Sequence, residues 1–278
     1  MQDVRAYTVT RMRGLLLINP RAGTERPNPE ELRDEARARG VAARLLERGE
    51  NPAEFARNSD AEILGAAGGD GSVASVAAVA VERGLPFVCV PYGTRNHFAR
   101  DLGLDRDDPL AGLDAFDGTE RRVDVGRAGD RLFLNNVSLG VYAELVHRRE
   151  RHRRRGQVLA GMRALWLGLR KQRGVWATLD GEALRARIVL VANNAYELDL
   201  FSVGERERLD AGRLHVYTAR GWLPNAWEER AGPRFTIDAA GPSLQAAIDG
   251  EPAVLETPLE FRIEPRALRV LVPDSPRG

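Results

Sequence analysis

A short glycine-rich turn between an apolar run and a helix-like segment constrains the fold most strongly. The apolar run covers residues 61–67, the turn at 68–72 reads Gly-Gly-Asp-Gly-Ser, and the helix-like segment covers 73–83. A strand that turns through glycines into a helix exposes backbone N–H groups at the positive end of the helix dipole, which favours phosphate. The carboxylate of Asp70 would repel a bare phosphate unless a cation or a transferable proton lies nearby. The turn therefore predicts a site for a nucleoside triphosphate with magnesium, and hence phosphoryl transfer.

The first hundred residues alternate between strand-like and helix-like segments. The strand-like runs cover 15–19, 41–46, 62–67 and 86–90, and the helix-like segments cover 29–39, 52–57 and 73–83. This alternation predicts βαβ units and a mainly parallel sheet. Ligands of such sheets bind beyond the carboxyl ends of the strands. Asn19, the glycine turn and residues 91–96 all fall at such ends.

From about residue 120 the pattern changes to short apolar runs separated by Gly, Pro, Asn and Asp. These runs cover 121–126, 131–137, 176–179, 187–192, 214–218, 234–238, 243–248, 259–263 and 268–272. Short strands of this kind predict an antiparallel β-sandwich, interrupted by a helical insertion at about 141–173. We therefore predict an α/β domain over residues 1–119 and a sandwich domain over 120–278, with a cleft between them.

Composition narrows the class of protein. The 278 residues carry a net charge of only +1 and include one cysteine, Cys89, within an apolar run, where we expect it to be buried. We see neither a signal peptide nor an apolar run near the ~20 residues that span a bilayer, so we expect a cytoplasmic protein. Lys171 is the single lysine, so no lysine follows the glycine turn and the turn is not a P-loop of the Walker A type.

The insertion carries a cluster of basic residues. Residues 147–155 contain six arginines, and residues 157–173 continue with apolar side chains at helical spacing. Two interpretations stay open: a helix that packs on the sandwich with a solvated basic face, or an element attracted to an anionic membrane surface. We expect no nucleic acid partner, since aromatic residues are not interleaved with the arginines.

Six motifs, in order, resemble those of the diacylglycerol kinase catalytic family, which includes bacterial lipid kinases and sphingosine kinases. They are Asn19-Pro20 with Gly23, the turn at 68–72, residues 91–100, 123–126, 133–140 and 248–251. Gly-Gly-Asp-Gly alone is shared with phosphofructokinases and NAD kinases, but Pro-x-Gly-Thr-x-Asn followed by a late Asp-Gly-Glu is far more specific. The resemblance implies a nucleotide domain like that of those two kinases, and a C-terminal β-sandwich that holds a lipid.

The resemblance also implies roles for individual residues. The nucleotide would be bound by Asn19, Gly68, Gly69, Gly71, Ser72, Thr94 and Asn96. Asp70 would lie near magnesium or the reacting hydroxyl, and Glu251 would be the general base that deprotonates the lipid hydroxyl. These roles suit phosphoryl transfer, which needs positioning, charge neutralisation and one carboxylate to take the proton.

Three positions depart from the family pattern. His97 and Ala211 stand where the family usually has aspartates, which in bacterial lipid kinases join the aspartate matching Asp124 around a structural magnesium ion. Losing two of three carboxylates removes most of the oxygen ligands of such a site. We therefore predict that the structural magnesium is absent, and that a catalytic one arrives with ATP. Leu46 replaces a threonine that contacts the nucleotide in many relatives.

Taken together, the sequence predicts an ATP- and magnesium-dependent kinase of diacylglycerol or a related lipid, peripherally associated with the membrane. One alternative is a catalytically silent nucleotide- or lipid-binding protein, given His97 and Ala211. Another is a kinase for a soluble acceptor such as NAD. Structural interpretations of single residues also stay open: Thr94 and Asn96 can cap a helix that starts near His97, and Asp249-Gly250 is a hairpin-turn signal. The identity of the lipid and the oligomeric state do not follow from the sequence.

Overall fold

The structure, a computed structural model, describes six ranges of the chain. They are residues 13–23, 27–140, 175–186, 188–197, 205–219 and 227–274. The basic insertion predicted at 141–173 lies outside them. Among the helices within these ranges, none combines the length and the apolar character needed to cross a bilayer.

The N-terminal part alternates strands and helices, as predicted. Its elements are β1 (Gly14–Ile18), α1 (Pro29–Ala38), β2 (Ala42–Leu45), α2 (Pro52–Arg57), β3 (Ile63–Gly68), α3 (Asp70–Arg83), β4 (Pro86–Pro91), α4 (His97–Asp101) and a 3-10 helix (Ala111–Asp117). The strands lie in the order β2-β1-β3-β4, and all three pairings are parallel. Local signals define the helix ends: a capping box between Asn28 and Glu31 begins α1, and Gly84 ends α3 in the left-handed region.

The C-terminal part consists of strands. They are β5 (Thr119–Ala128), β6 (Arg131–Phe133), β7 (Asn136–Gly140), β8 (Val175–Leu179), β9 (Glu182–Ala186), β10 (Ile188–Asn193), β11 (Leu214–Ala219), β12 (Trp227–Gly232), β13 (Arg234–Ala239), β14 (Ser243–Ile248), β15 (Glu251–Glu256) and β16 (Leu259–Val272). One sheet has the antiparallel order β12-β11-β10-β7-β14-β15. The predicted antiparallel sheet domain is confirmed.

The last strand, β16, joins the two parts. Its first residues pair antiparallel with β13, its last residues pair in parallel with β4, and β5 pairs antiparallel with both stretches. The prediction of two separate strands at 259–263 and 268–272 is wrong. Pairing with β5 continues on both sides of an irregularity between Glu264 and Leu268, so the chain bends there without ending the strand. The division between residues 119 and 120 stays a prediction.

Three of the apolar cores within the described ranges follow from this layering. One lies where α2 and α3 cover the parallel sheet, and a second lies where α1 and the 3-10 helix cover its other face. A third fills the space between the two antiparallel layers, where Phe133 and Phe261 meet edge to face at 6.5 Å. Cys89 is buried in the first core, as predicted. These cores hold the carboxyl ends of β1, β3 and β4 against one end of the sandwich.

Candidate active site

The glycine turn leads directly into α3. Gly69 is the N-cap residue, and no side chain caps the helix. The first N–H groups of an uncapped helix are available to an anion. A Cβ on Gly69 would meet no atom within 4 Å, so space is open beside this residue. The turn leads into a helix without a side-chain cap, and its contact with a phosphate group stays a prediction.

The loops after β1 and β4 pack against this turn. Asn19 Nδ2 donates to Ser72 Oγ at 3.1 Å. A Cβ on Gly93 would lie 2.8 Å from both Gly68 O and Gly69 Cα, so only glycine permits this close approach. The structure thus brings together three loops that are distant in sequence, at the strand ends where a ligand was expected.

Thr94 and Asn96 lie in the loop between β4 and α4. Thr94 is exposed, whereas Asn96 is buried with a φ of 48°. Asn96 occupies the N-cap position of α4, but its side chain bonds no helix N–H; instead Oδ1 accepts from Gly93 N at 2.7 Å. Its observed role is to close the loop beside the glycine turn, and its contact with a nucleotide stays a prediction.

Glu251 reaches the glycine turn from the other part of the chain. It is the first residue of β15, after a two-residue turn in which Asp249 and Gly250 have φ values of 46° and 82°. Positive φ at both positions is the type I′ hairpin turn that Asp-Gly predicts. A Cβ on Gly71 would overlap Glu251 Cγ and lie 3.0 Å from Oε1. The predicted base therefore lies against the first turn of α3.

Asp249 clamps the turn that carries Glu251. Its carboxylate accepts the backbone N–H groups of Leu134, Asn135 and Asn136 at 2.8, 2.7 and 3.0 Å. Burial raises its pKa to about 7, although these three bonds oppose the rise. Sequence reasoning identified Asp249 only as a turn residue and missed this anchoring role, because its partners are more than a hundred positions away.

Asp70 has a less complete set of partners. Its Oδ1 accepts from Phe98 N at 3.3 Å and from Asn135 Nδ2 at 3.4 Å, both long for hydrogen bonds. Burial lowers the pKa of the nearby His97, while Asp70 acts in the opposite direction. A carboxylate held this loosely retains the capacity to bind a cation.

The donor set around Asp70 fits a metal ion only together with a ligand. Within the described ranges no three His, Cys, Asp or Glu side chains cluster in a way that could hold a metal ion. Asp70 can supply one carboxylate, and Mg²⁺ commonly takes one or two carboxylates with phosphate oxygens and water. The residues present therefore fit a magnesium ion that arrives with a nucleotide.

Asp124 has a different environment. It is 1% exposed, and its carboxylate accepts from Arg266 N, Gly212 N and Asn194 Nδ2 at 2.7, 2.6 and 3.1 Å. All three partners are N–H donors, and Ala211 contributes no oxygen ligand from its side chain. This donor set satisfies the carboxylate without a cation and does not fit a structural magnesium ion.

A cleft of about 720 Å³ lies beside Glu251. Residues of α3, among them Ala74 and Ala78, line it together with residues of the antiparallel part, among them Arg131 and Ile248. Gly71 and Glu251 also line it. The cleft therefore offers a space for a second substrate next to the candidate base.

The comparisons with known proteins agree with this geometry. The family model of the diacylglycerol kinase catalytic domain matches residues 13–128. A Pseudomonas fluorescens protein named "Probable lipid kinase YegS-like" is 29% identical over 237 residues, which cover 76% of this chain and 78% of that protein. A protein of the same name from Pseudomonas savastanoi pv. phaseolicola is 30% identical over 237 residues, which cover 76% of each chain.

Solved structures share the fold. A crystal structure of a diacylglycerol kinase from Bacillus anthracis superposes with a TM-score of 0.67 at 17% identity, covering 94% of this chain and 96% of that chain. The agreement extends over both the parallel and the antiparallel parts. Fold, motifs and sequence identity together lead to one assignment: the chain belongs to the diacylglycerol kinase catalytic-domain family.

Proposed function

We propose that the chain is an ATP- and magnesium-dependent lipid kinase that phosphorylates a hydroxyl of diacylglycerol or a related lipid. Membership of this kinase family supports a phosphotransferase and implies the use of ATP, typically with a divalent metal. The observation that carries the finer proposal is the packing of Glu251 against Gly71. Phosphoryl transfer to an alcohol needs a base within reach of the phosphates, and this contact supplies one.

In this proposal the N-terminus of α3 binds the phosphates through its N–H groups. Asn19 and Ser72 border the phosphates, while Thr94 and Asn96 line the nucleotide pocket. Magnesium, when bound with ATP, neutralises charge on the transferred group. Asp70 would hold that ion, since the hydrogen bonds that it accepts from the described residues fall on one of its two carboxylate oxygens.

Glu251 accepts the proton of the acceptor hydroxyl, which enters from the neighbouring cleft. The cleft is lined by apolar side chains, among them Ala74 and Ala78, and by charged side chains, among them Arg131 and Arg262, which suit an acceptor with both polar and apolar portions. We further propose a cytoplasmic protein with domains over 1–119 and 120–278, which lacks a structural magnesium ion. The basic insertion at 141–173 would contact an anionic membrane surface.

The test is incubation of the protein with labelled ATP, magnesium and a total lipid extract. We expect label in the organic phase, and mass spectrometry of the labelled species identifies the acceptor. Label that stays in the aqueous phase on a soluble acceptor would favour a kinase of the NAD kinase type. ATP binding without transfer to any acceptor would support a catalytically silent homologue.

A further inference from the structure

Arg206 is a fully buried cation between β10 and β11. Its Nε donates to Asp101 Oδ2 at 2.6 Å, and both side chains are 0% exposed. Asp101 is the last residue of α4, in the part of the chain that carries the glycine turn. Buried ion pairs seldom add net stability, because desolvation offsets the attraction between the charges. The pair therefore calls for an explanation in terms of geometry.

The remaining N–H groups of Arg206 donate to the segment between β6 and β7 and to the end of β10. Nη1 donates to Leu134 O at 2.6 Å and to Asn193 O at 2.9 Å, while Nη2 donates to Asn135 Oδ1 at 2.8 Å. A guanidinium group is a rigid planar fork that carries donors only. The atom of Asn135 that faces it must therefore be the amide oxygen.

This orientation determines what Asn135 presents on its other side. Its Nδ2 points at Asp70 Oδ1, 3.4 Å away, and an amide flipped by 180° would lose both partners. The backbone N–H of the same residue donates to Asp249 Oδ1 at 2.7 Å. Asn135 thus contacts both Asp70 and the carboxylate that clamps the turn of Glu251.

We propose that Asn135 is a positioning residue that sets the spacing between Asp70 and Glu251, and that Arg206, held by Asp101, keeps its amide in the required orientation. The proposal rests on the proposed function, since it assigns those two carboxylates to the reaction. The chain of contacts runs from α4 through Arg206 and Asn135 to the glycine turn. It links the two parts of the protein beside the glycine turn.

The test compares Arg206→Lys, Asn135→Ala and the double variant, with diacylglycerol in detergent micelles as the acceptor. Lysine keeps the charge and the bond to Asp101 but has no fork to reach Asn135 as well. Misplacement of a catalytic group by about 1 Å costs up to about 100-fold in rate, so we expect each single variant to lose about 10- to 100-fold in kcat. The KM for ATP with magnesium should rise by only about three- to fivefold, in step with weaker binding of the cation, so that kcat carries the larger loss.

The double variant distinguishes positioning from general destabilisation. If Arg206 acts through Asn135, the double variant loses no more kcat than the more impaired single variant, since coupled residues are not additive. Arg208→Lys is the matched control, because Arg208 is in the same segment and pairs with Asp210 on the surface. The proposal would be overturned if the loss of kcat in the double variant equalled the product of the two single losses. It would also be overturned if Arg206→Lys kept wild-type kcat. If Arg206→Lys does not fold, Asn135→Ala decides: wild-type kcat overturns the proposal, and the expected loss of kcat, larger than the change in KM, supports it.

A second readout separates this proposal from the proposed function. Calorimetry without any acceptor measures the affinity for ATP with and without magnesium. Magnesium raises the affinity for ATP by a certain factor, and we expect that factor to be at least about threefold smaller in each single variant than in wild type. The double variant should show the same reduction and no more. A wild-type protein that phosphorylates no lipid would refute the proposed function alone. An unchanged magnesium effect in both folded variants would refute the positioning role.

Discussion

Asp70 and Asp124 are two carboxylates in contrasting surroundings. Asp124 is almost fully buried and accepts three N–H groups, the longest at 3.1 Å. Asp70 is half-buried and accepts two, both longer than 3.2 Å and both on the same oxygen. The chain satisfies the first carboxylate with its own donors and leaves the second with room for a ligand. We infer that Asp124 joins strands and loops, whereas Asp70 is available for chemistry.

The largest expected effect is on catalysis and concerns Glu251, the candidate base near the glycine turn. Glu251→Gln keeps the size of the side chain but cannot take a proton, so we expect kcat to fall by about 1,000-fold while ATP still binds. Lipid phosphorylation and calorimetric ATP binding measure the two quantities. Glu256→Gln, at the exposed far end of β15, is the control and should leave kcat unchanged. Equal activity of Glu251→Gln and wild type would remove this residue from the mechanism.

The next largest effect concerns the contact between Gly71 and Glu251, where the parallel and antiparallel parts of the protein meet. In Gly71→Ala the added methyl group overlaps Glu251 Cγ, so the base has to move away from the turn. Because alanine favours a helix more than glycine does, we expect the fold to persist while kcat falls by about 100-fold. Steady-state kinetics measures kcat, and thermal unfolding shows whether the fold persists. Gly241→Ala, where a Cβ would meet no atom within 4 Å, is the control. An unaltered kcat in Gly71→Ala would argue against the importance of this contact.

On the structural side, Asp124→Asn should act on stability rather than on chemistry. The amide cannot accept all three N–H groups, so we expect the free energy of unfolding to fall by about 3 kcal/mol. At temperatures where the variant is folded, its kcat should stay within about twofold of wild type. Urea unfolding and kinetics measure these quantities. The comparison would fail if EDTA lowered the Tm of the wild-type protein without ATP, since this would reveal a metal ion that the donor set does not accommodate.

The last effect is a dependence of stability on pH, and it concerns Asp249, which is buried like Asp124 but close to Asp70. A pKa raised to about 7 in the folded chain means that the folded state binds this proton more tightly than the unfolded state. The raised pKa contributes fully to the free energy of unfolding below about pH 4, and this contribution is lost as the pH rises to about 7. Asp249→Asn removes this dependence, whose slope is at most about 1.4 kcal/mol per pH unit.

Urea unfolding across this pH range, without ATP or metal, measures the slope. The control is Asp130→Asn, at an exposed carboxylate, which should follow the wild-type curve. If wild type and Asp249→Asn show the same pH dependence, the raised pKa is refuted.

Much of the N-terminal part could be predicted because its signals are local. Apolar runs, Pro29 after Asn28, and Gly84 after α3 define strands and helices within a few residues of one another. The Asp249-Gly250 turn is equally local. The sequence also identifies Asp70 and Glu251 as candidates, the latter through resemblance to a family. By contrast, β16 was expected as two strands, since a break in apolar pattern does not reveal that pairing with β5 continues across it.

Residue order alone thus determined the strand–helix alternation and the glycine turn, because each depends on neighbours within one or two turns of chain, while the resemblance to a family identified Glu251 as the candidate base. Tertiary structure decided which polar groups meet. Nothing near Arg206 in sequence indicates that its guanidinium orients Asn135, and nothing near Asp124 indicates three N–H partners from distant loops. Buried polar groups must find partners wherever the fold brings them together, so their roles emerge only when the long-range pairings are known.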